Sequence, residues 1–256
     1  MTSTCKNCSQ NFKGHFCSNC GQSSNTHEIN LKYFLHEIQH GLLHIDKGIL
    51  YTTKQLFTKP GHSIRDYING KRVKHFKPIA YVFIVCTIYA LLSKISHENT
   101  FLDDISIGFT EVENVKNKPL GALTTTLNWL KNHYAYGALL LIPIFSLASY
   151  LAFRKSNYNY FKHLILNCYI TGQRTLVYIL IVPIISLFNN KNLTENAQEF
   201  KLIIGIILTF WTYMQFFNNL TKSKSFFLTI LMYFYLSLCF LFLVLLIGIL
   251  TGISRA

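Results

Sequence analysis

Residues 226–250 read FFLTILMYFYLSLCFLFLVLLIGIL, twenty-five positions without a single charge. A bilayer core about 30 Å thick needs about 20 apolar residues in a helix, so this stretch is long enough to cross. Working back from it, four further apolar blocks can be read. Ile79–Leu92 is the shortest, bracketed by Lys77 and Lys94, whose stems can reach the two interfaces. Tyr134–Phe153 carries Pro143 as a kink that neighbouring helices must accommodate. Leu164–Phe188 contains Arg174 and Pro183, and Leu202–Leu220 follows after a polar loop. These blocks predict an all-α polytopic membrane protein with about five transmembrane helices over residues 78–256, preceded by a helical region at 30–77 and a small module at 1–24.

Composition agrees. Half the residues are hydrophobic and 14% are charged, too little polar surface for a water-soluble chain of this length. The net charge of +13 could suggest nucleic acid, but its placement points to a membrane. Before Pro78 there are eleven Lys and Arg against four acidic residues, and Arg154, Lys155, Lys162, Lys222 and Lys224 occupy alternate loops. The intervening Ser93–Asn132 loop carries Glu98, Asp103, Asp104, Glu111 and Glu113. Under the positive-inside rule five spans then place the N-terminus in the cytoplasm and the C-terminus outside. A re-entrant Ile79–Leu92 would break that parity.

The N-terminal module is Cys5-x2-Cys8-x8-Cys17-x2-Cys20-Gly21. Four thiolates in two close pairs suit tetrahedral zinc in a closed structural site. About 20 residues cannot bury a core, so the metal would supply most of the folding energy. The knuckle spacing and the lack of a preceding apolar signal segment argue against disulfides and for a reducing compartment. Only Lys6 and Lys13 are basic within Cys5–Gly21, a sparse footprint for a nucleic-acid backbone.

Between module and first span, Leu31, Phe34, Leu35, Ile38, Leu42, Ile45, Ile49 and Leu50 recur at helical spacings over Asn30–Leu56. Such a stripe either lies on the membrane or packs on the bundle. Lys59-Pro60-Gly61 ends it, and a second segment is expected to start from a capping Ser63. The stripe contains His36-Glu37-Ile38-Gln39-His40, an H-E-x-x-H pattern that sets two zinc-binding imidazoles on one face beside a glutamate able to activate water. His44 lies roughly 12 Å from His36 along the axis, too far to share the ion. A third ligand would have to come from His62, His75 or His163. The alternative is a polar interfacial helix face.

His163, Asn167, Thr171 and Arg174 form a second polar stripe, at i, i+4, i+8 and i+11 on the third span. Arginine facing lipid is costly, so the stripe is expected to face protein or a wet, inward-accessible cavity able to hold an anionic lipid or solute. A purely structural polar network is the other reading.

The combination resembles the uncharacterised bacterial membrane family called domain of unknown function 3667. The likeness runs through the Cys5–Cys20 knuckles, His44-Ile45-Asp46-Lys47-Gly48, Thr52, Pro60-Gly61, Ile64-Arg65-Asp66-Tyr67 and Gly70-Lys71-Arg72, and resumes at Tyr158-Asn159-Tyr160, His163, Asn167 and Tyr169. The resemblance implies a multi-span inner-membrane topology and a cytoplasmic zinc ribbon, and carries no established activity. An interaction or regulatory component with membrane lipids and a cytoplasmic or membrane protein as partners is the expected function. A transporter or lipid-handling protein is the alternative, followed by a membrane zinc metallopeptidase using His36, Glu37 and His40.

Overall fold

The computed structural model describes residues 2–26, 28–35, 48–96, 98–100, 102–103, 106, 121–188 and 191–253. The chain opens on two short strands, β1 (Ser3–Thr4) and β2 (Asn11–Phe12), paired antiparallel with Ser3 opposite Phe12. The first knuckle fills the turn between them. In each knuckle the first cysteine repeats the same pattern: Cys5 N donates to Gln10 O and its own carbonyl accepts from Ser9 N, while Cys17 N donates to Gln22 O and its carbonyl accepts from Gly21 N. The residue behind each second cysteine must be left-handed, with φ 74° at Gly21 and 61° at Ser9. Glycine takes this conformation freely, whereas serine does so at about 1–2 kcal/mol.

Two short helices follow, α1 (Ile49–Thr58) and α2 (Pro60–Ile68). The break falls at Lys59, as the Pro-Gly pair predicts, but α2 begins at Pro60 rather than at a capping Ser63. Proline's fixed φ suits the first helical position and its missing N–H costs nothing there. Ser63 is thereby placed inside α2, where its hydroxyl meets His75. Both helices pack on the bundle instead of lying flat: Gln173 Nε2 donates to Leu56 O at 2.7 Å, and the buried Arg65 donates to the carbonyls of Gln215 and Phe216.

The remaining helices are α3 (Pro78–Ile95), α4 (Gly121–Asn132), α5 (Tyr134–Ala152), α6 (Tyr160–Phe188), α7 (Lys191–Phe216) and α8 (Lys222–Ile253). Among the described residues four helices are long and apolar enough to cross a membrane: α3, α5, α6 over Tyr160–Ile185, and α8 over Lys222–Leu243. The shortest expected block thus extends to a full 18-residue helix starting at Pro78. The fifth expected block, Leu202–Leu220, does not meet this criterion. All but its last four residues lie in α7, whose first half carries Glu195, Glu199 and Lys201, lowering its apolar character. α7 nonetheless runs the length of the bundle. Lys201 in its first half pairs with Glu98 beyond the end of α3, and Gln215 and Phe216 at its end meet Arg65 of α2, ahead of α3. A second correction concerns Ser93–Asn132, read from sequence as a loop, which contains α4. Trp129 on α4 stacks on His133 with centroids 4.6 Å apart.

α6 is the central post, packed against α3, α5 and α7. Its tyrosine Tyr169 donates to Phe76 O at 2.6 Å and joins Tyr67, Tyr81, Phe153, Tyr213 and Phe217 in an aromatic core at the module's end of the bundle. α8 closes the bundle against α5 and α7 and leaves large apolar side chains outside, including Phe227 and Phe242, 66% and 63% exposed. Burying that face against lipid is the stable solution for a helix with so little of its surface covered by protein.

Candidate functional site

The sulfur atoms of Cys5, Cys8, Cys17 and Cys20 lie within 4.8 Å of one another. Cys5 and Cys20 are 3.5 Å apart, and Cys8 and Cys17 3.6 Å. A tetrahedral shell with metal–sulfur bonds of 2.3 Å sets its sulfurs roughly 3.8 Å apart, so the four donors fit a metal ion with little adjustment. The surroundings favour thiolate at two of them. The Gln10 N–H and the Asn19 side chain lower the Cys8 thiol to about 6, and the Asn7 side chain with the Gln22 N–H lowers Cys20. Burial instead pushes Cys5 up to about 11, a cost that a cation at the centre would offset. Four cysteine donors complete the shell and leave no open position for water or substrate.

The module is tied to the bundle at several points. Arg72 N donates to Gln22 Oε1 at 3.1 Å, and Asn159 Nδ2 donates to Ile29 O at 3.0 Å. The Arg72 guanidinium lies over the rings of Tyr33 and Tyr67, 4.6 and 5.3 Å from their centroids, while the two phenol groups hydrogen-bond at 2.7 Å. Arg72 therefore joins the segment after the knuckles to the loop that enters α3.

His36, Glu37, His40 and His44 lie outside the described residues. Of the proposed third ligands, His62 is exposed and accepts from Arg65 Nη2 at 2.7 Å. His75 and His163 are buried and engaged by Ser63 at 2.9 Å and Ser149 at 3.0 Å. Among the described residues the four cysteines are the one group placed to hold a metal.

The polar stripe of α6 divides between two environments. His163 and Asn167 belong to a buried network near the module's end, in which Asn167 Nδ2 donates to Ser149 Oγ and Tyr213 Oη donates to Asn167 Oδ1, each at 3.0 Å. Thr171 and Arg174 instead line a cavity of about 340 Å³ together with Tyr89, Tyr134, Tyr178 and Lys201. That cavity extends toward the end of the bundle opposite the cysteines. Sequence reading missed Ser149, Tyr213, Glu98 and Lys201 as partners of the polar residues. The charge of Lys201 at the edge of the Leu202–Leu220 block was the available signal.

These features define a multi-pass membrane protein carrying an N-terminal four-cysteine centre. Over residues 46–90 the chain is similar to a family described as a protein of unknown function, DUF3667. That segment includes α1, α2, the Arg72 loop and most of α3. No curated protein and no solved structure matches the chain.

Proposed function

We propose that this protein is an interaction or regulatory component of the bacterial inner membrane that presents a zinc-loaded module at the cytoplasmic face. The observation that carries this reading is the closed set of four sulfurs on a module clamped to the bundle through Gln22, Arg72 and Asn159. A closed shell supports structural rather than catalytic zinc, and the clamp gives the module a fixed pose toward a partner. Phe16, beside the ligand Cys17, is 66% exposed and supplies an aromatic anchor. Orientation rests on charge. Exposed Lys59, Lys71, Lys74, Arg154, Lys155, Lys222 and Lys224 cluster at the module's end, whereas Glu98 and Asp103 at the other end are paired with Lys201 and Lys131. With α7 counted as a crossing, the N-terminus is inside and the C-terminus outside.

The test has two arms. Metal analysis of purified protein is expected to give one zinc per chain, lost in Cys17→Ser. A photo-crosslinking amino acid at Phe16 is expected to trap a discrete protein partner in cells, and the adduct should vanish in the Cys17→Ser background. Equal zinc in both proteins refutes the metal assignment. Zinc without any Phe16 adduct that depends on Cys17 refutes the presenting role.

A further inference from the structure

Arg174 sits near the middle of α6, and the space around it is unlike the buried network two to three turns before it. The guanidinium has five N–H donors. Among the described residues its single hydrogen bond is Nη2 to Tyr178 Oη at 3.5 Å, and no carboxylate is paired with it. Lys201, the other cation on the cavity wall, is already consumed by Glu98 at 2.9 Å. Glu199 also lines the cavity but is exposed, at its rim. Among the described residues Arg174 is thus the one cation on the cavity wall without a paired carboxylate.

Apart from Thr171 and Thr175, the remainder of the lining is apolar, with Ala138, Leu141, Ile142 and Phe145 of α5 and Leu202 of α7. The polar and apolar parts are segregated along the bundle axis. Tyr134 begins α5, and Phe145 lies eleven residues deeper, about 16 Å along that helix. The tyrosines, Arg174 and Lys201 gather at the shallow end, and the aliphatic wall leads inward. Leu141 and Phe145 are half-buried and Leu202 is exposed, so the wall is continuous with the lipid-facing surface. Gly205 makes the arrangement possible from the α7 side: a Cβ there would come within 2.5 Å of Tyr178 Oη and 2.8 Å of Arg174 Nε.

We infer that this cavity binds a single-chain anionic amphiphile, its carboxylate or phosphate-ester head on Arg174 and its hydrocarbon along Leu141, Ile142 and Phe145. A free arginine in a dry wall is expensive, and an anion accepting two of its donors removes that cost while a chain fills the apolar part. A small hydrophilic anion would satisfy the head site and leave the wall empty. A neutral lipid would fill the wall and leave the guanidinium unpaired. The ligand enters from the leaflet at the end opposite the cysteine module, and the site is independent of the module's proposed role.

The experiment uses the full chain in nanodiscs of zwitterionic phospholipid, with a long-chain fatty acid as probe and three comparisons: the fatty alcohol of equal length, a single-chain phosphate monoester, and inorganic phosphate. The fatty acid and the phosphate monoester are expected to bind at least about tenfold tighter than the alcohol, and inorganic phosphate is expected not to compete. Arg174→Leu should reduce fatty-acid affinity at least about tenfold and Arg174→Lys by less, because lysine lacks the planar fork. Leu141→Trp, which fills the apolar wall and keeps the charge, should reduce it as well. Gly205→Ala displaces the guanidinium without removing it and serves if Arg174→Leu does not fold. Equal binding of acid and alcohol, or unchanged binding in the Arg174 and Gly205 variants, overturns the head assignment. Full competition by inorganic phosphate, or unchanged binding in Leu141→Trp, overturns the amphiphile and leaves a small-anion site.

Discussion

The ion pair between Glu98 and Lys201 gives the sharpest test of how the bundle is held together. Its atoms are 2.9 Å apart and its side chains are 2% and 4% exposed, so solvent screening is small. At an effective dielectric of 20 the attraction at that distance is about 6 kcal/mol. Desolvating both ions cancels much of it, and the net value of the pair against neutral replacements is close to zero. The asymmetry is what can be measured. Glu98→Gln strands a buried ammonium, Lys201→Met strands a buried carboxylate, and each is expected to cost about 3–5 kcal/mol. The double variant removes both charges and is expected to lose about 1 kcal/mol or less. Reversible unfolding of the purified protein in mixed micelles, titrated with a denaturing detergent and followed by tryptophan fluorescence, supplies the three differences. A coupling energy below about 0.5 kcal/mol would refute the reasoning, because the two charges would then not be sensing one another.

Burial also lowers the His75 imidazole below the ordinary value of 6.5, with Asp66 and Lys71 acting in opposite directions nearby. The native state then refuses a proton that the unfolded chain accepts, so this contribution is complete above pH 6.5 and is lost as pH falls through the folded value. Stability measured against pH should accordingly fall less steeply below pH 6.5 in His75→Gln, and an unchanged slope would remove His75 as the source. Reporters fused at Met1 and Ala256 should report opposite sides of the membrane, and a shared side would mean that α7 does not cross. For the metallopeptidase alternative, Glu37→Gln should keep the protein folded while abolishing any zinc-dependent cleavage, and undiminished cleavage would eliminate that mechanism.

Much of this architecture is visible in the residue pattern. The 226–250 block, the Lys59-Pro60-Gly61 break and the Cys-x2-Cys pairs are local signals, each readable from a window shorter than a helix, and each reappears in α8, the α1–α2 junction and the four-sulfur cluster. The misreadings share a cause. α7 looks like a span by its second half alone, and its Lys201 makes sense only when Glu98, 103 positions earlier in the chain, is brought beside it. α4 was hidden because an acidic loop can contain a helix without any apolar run. The polar stripe of α6 has true helical periodicity, yet its members meet different neighbours: Ser149 and Tyr213 at one end, Tyr178 and the cavity at the other. Periodicity assigns residues to a face, and only the packing of α5 and α7 decides what that face meets.

Arg65 has a consequence for the order in which the molecule can be made. Its guanidinium is held by the carbonyls of Gln215 and Phe216, 150 and 151 positions later, and burial depresses its pKa, a sign of how much water it gives up. At ribosomal speeds of about 5–20 residues per second, those carbonyls follow it after roughly 8–30 s. During that interval Arg65 has His62 of its own helix as an acceptor but lacks the two carbonyls that receive Nη1 in the folded bundle. The seat of α2 is therefore completed only when the end of α7 arrives, so the segment that opens the bundle is locked by one of the last helices to be made.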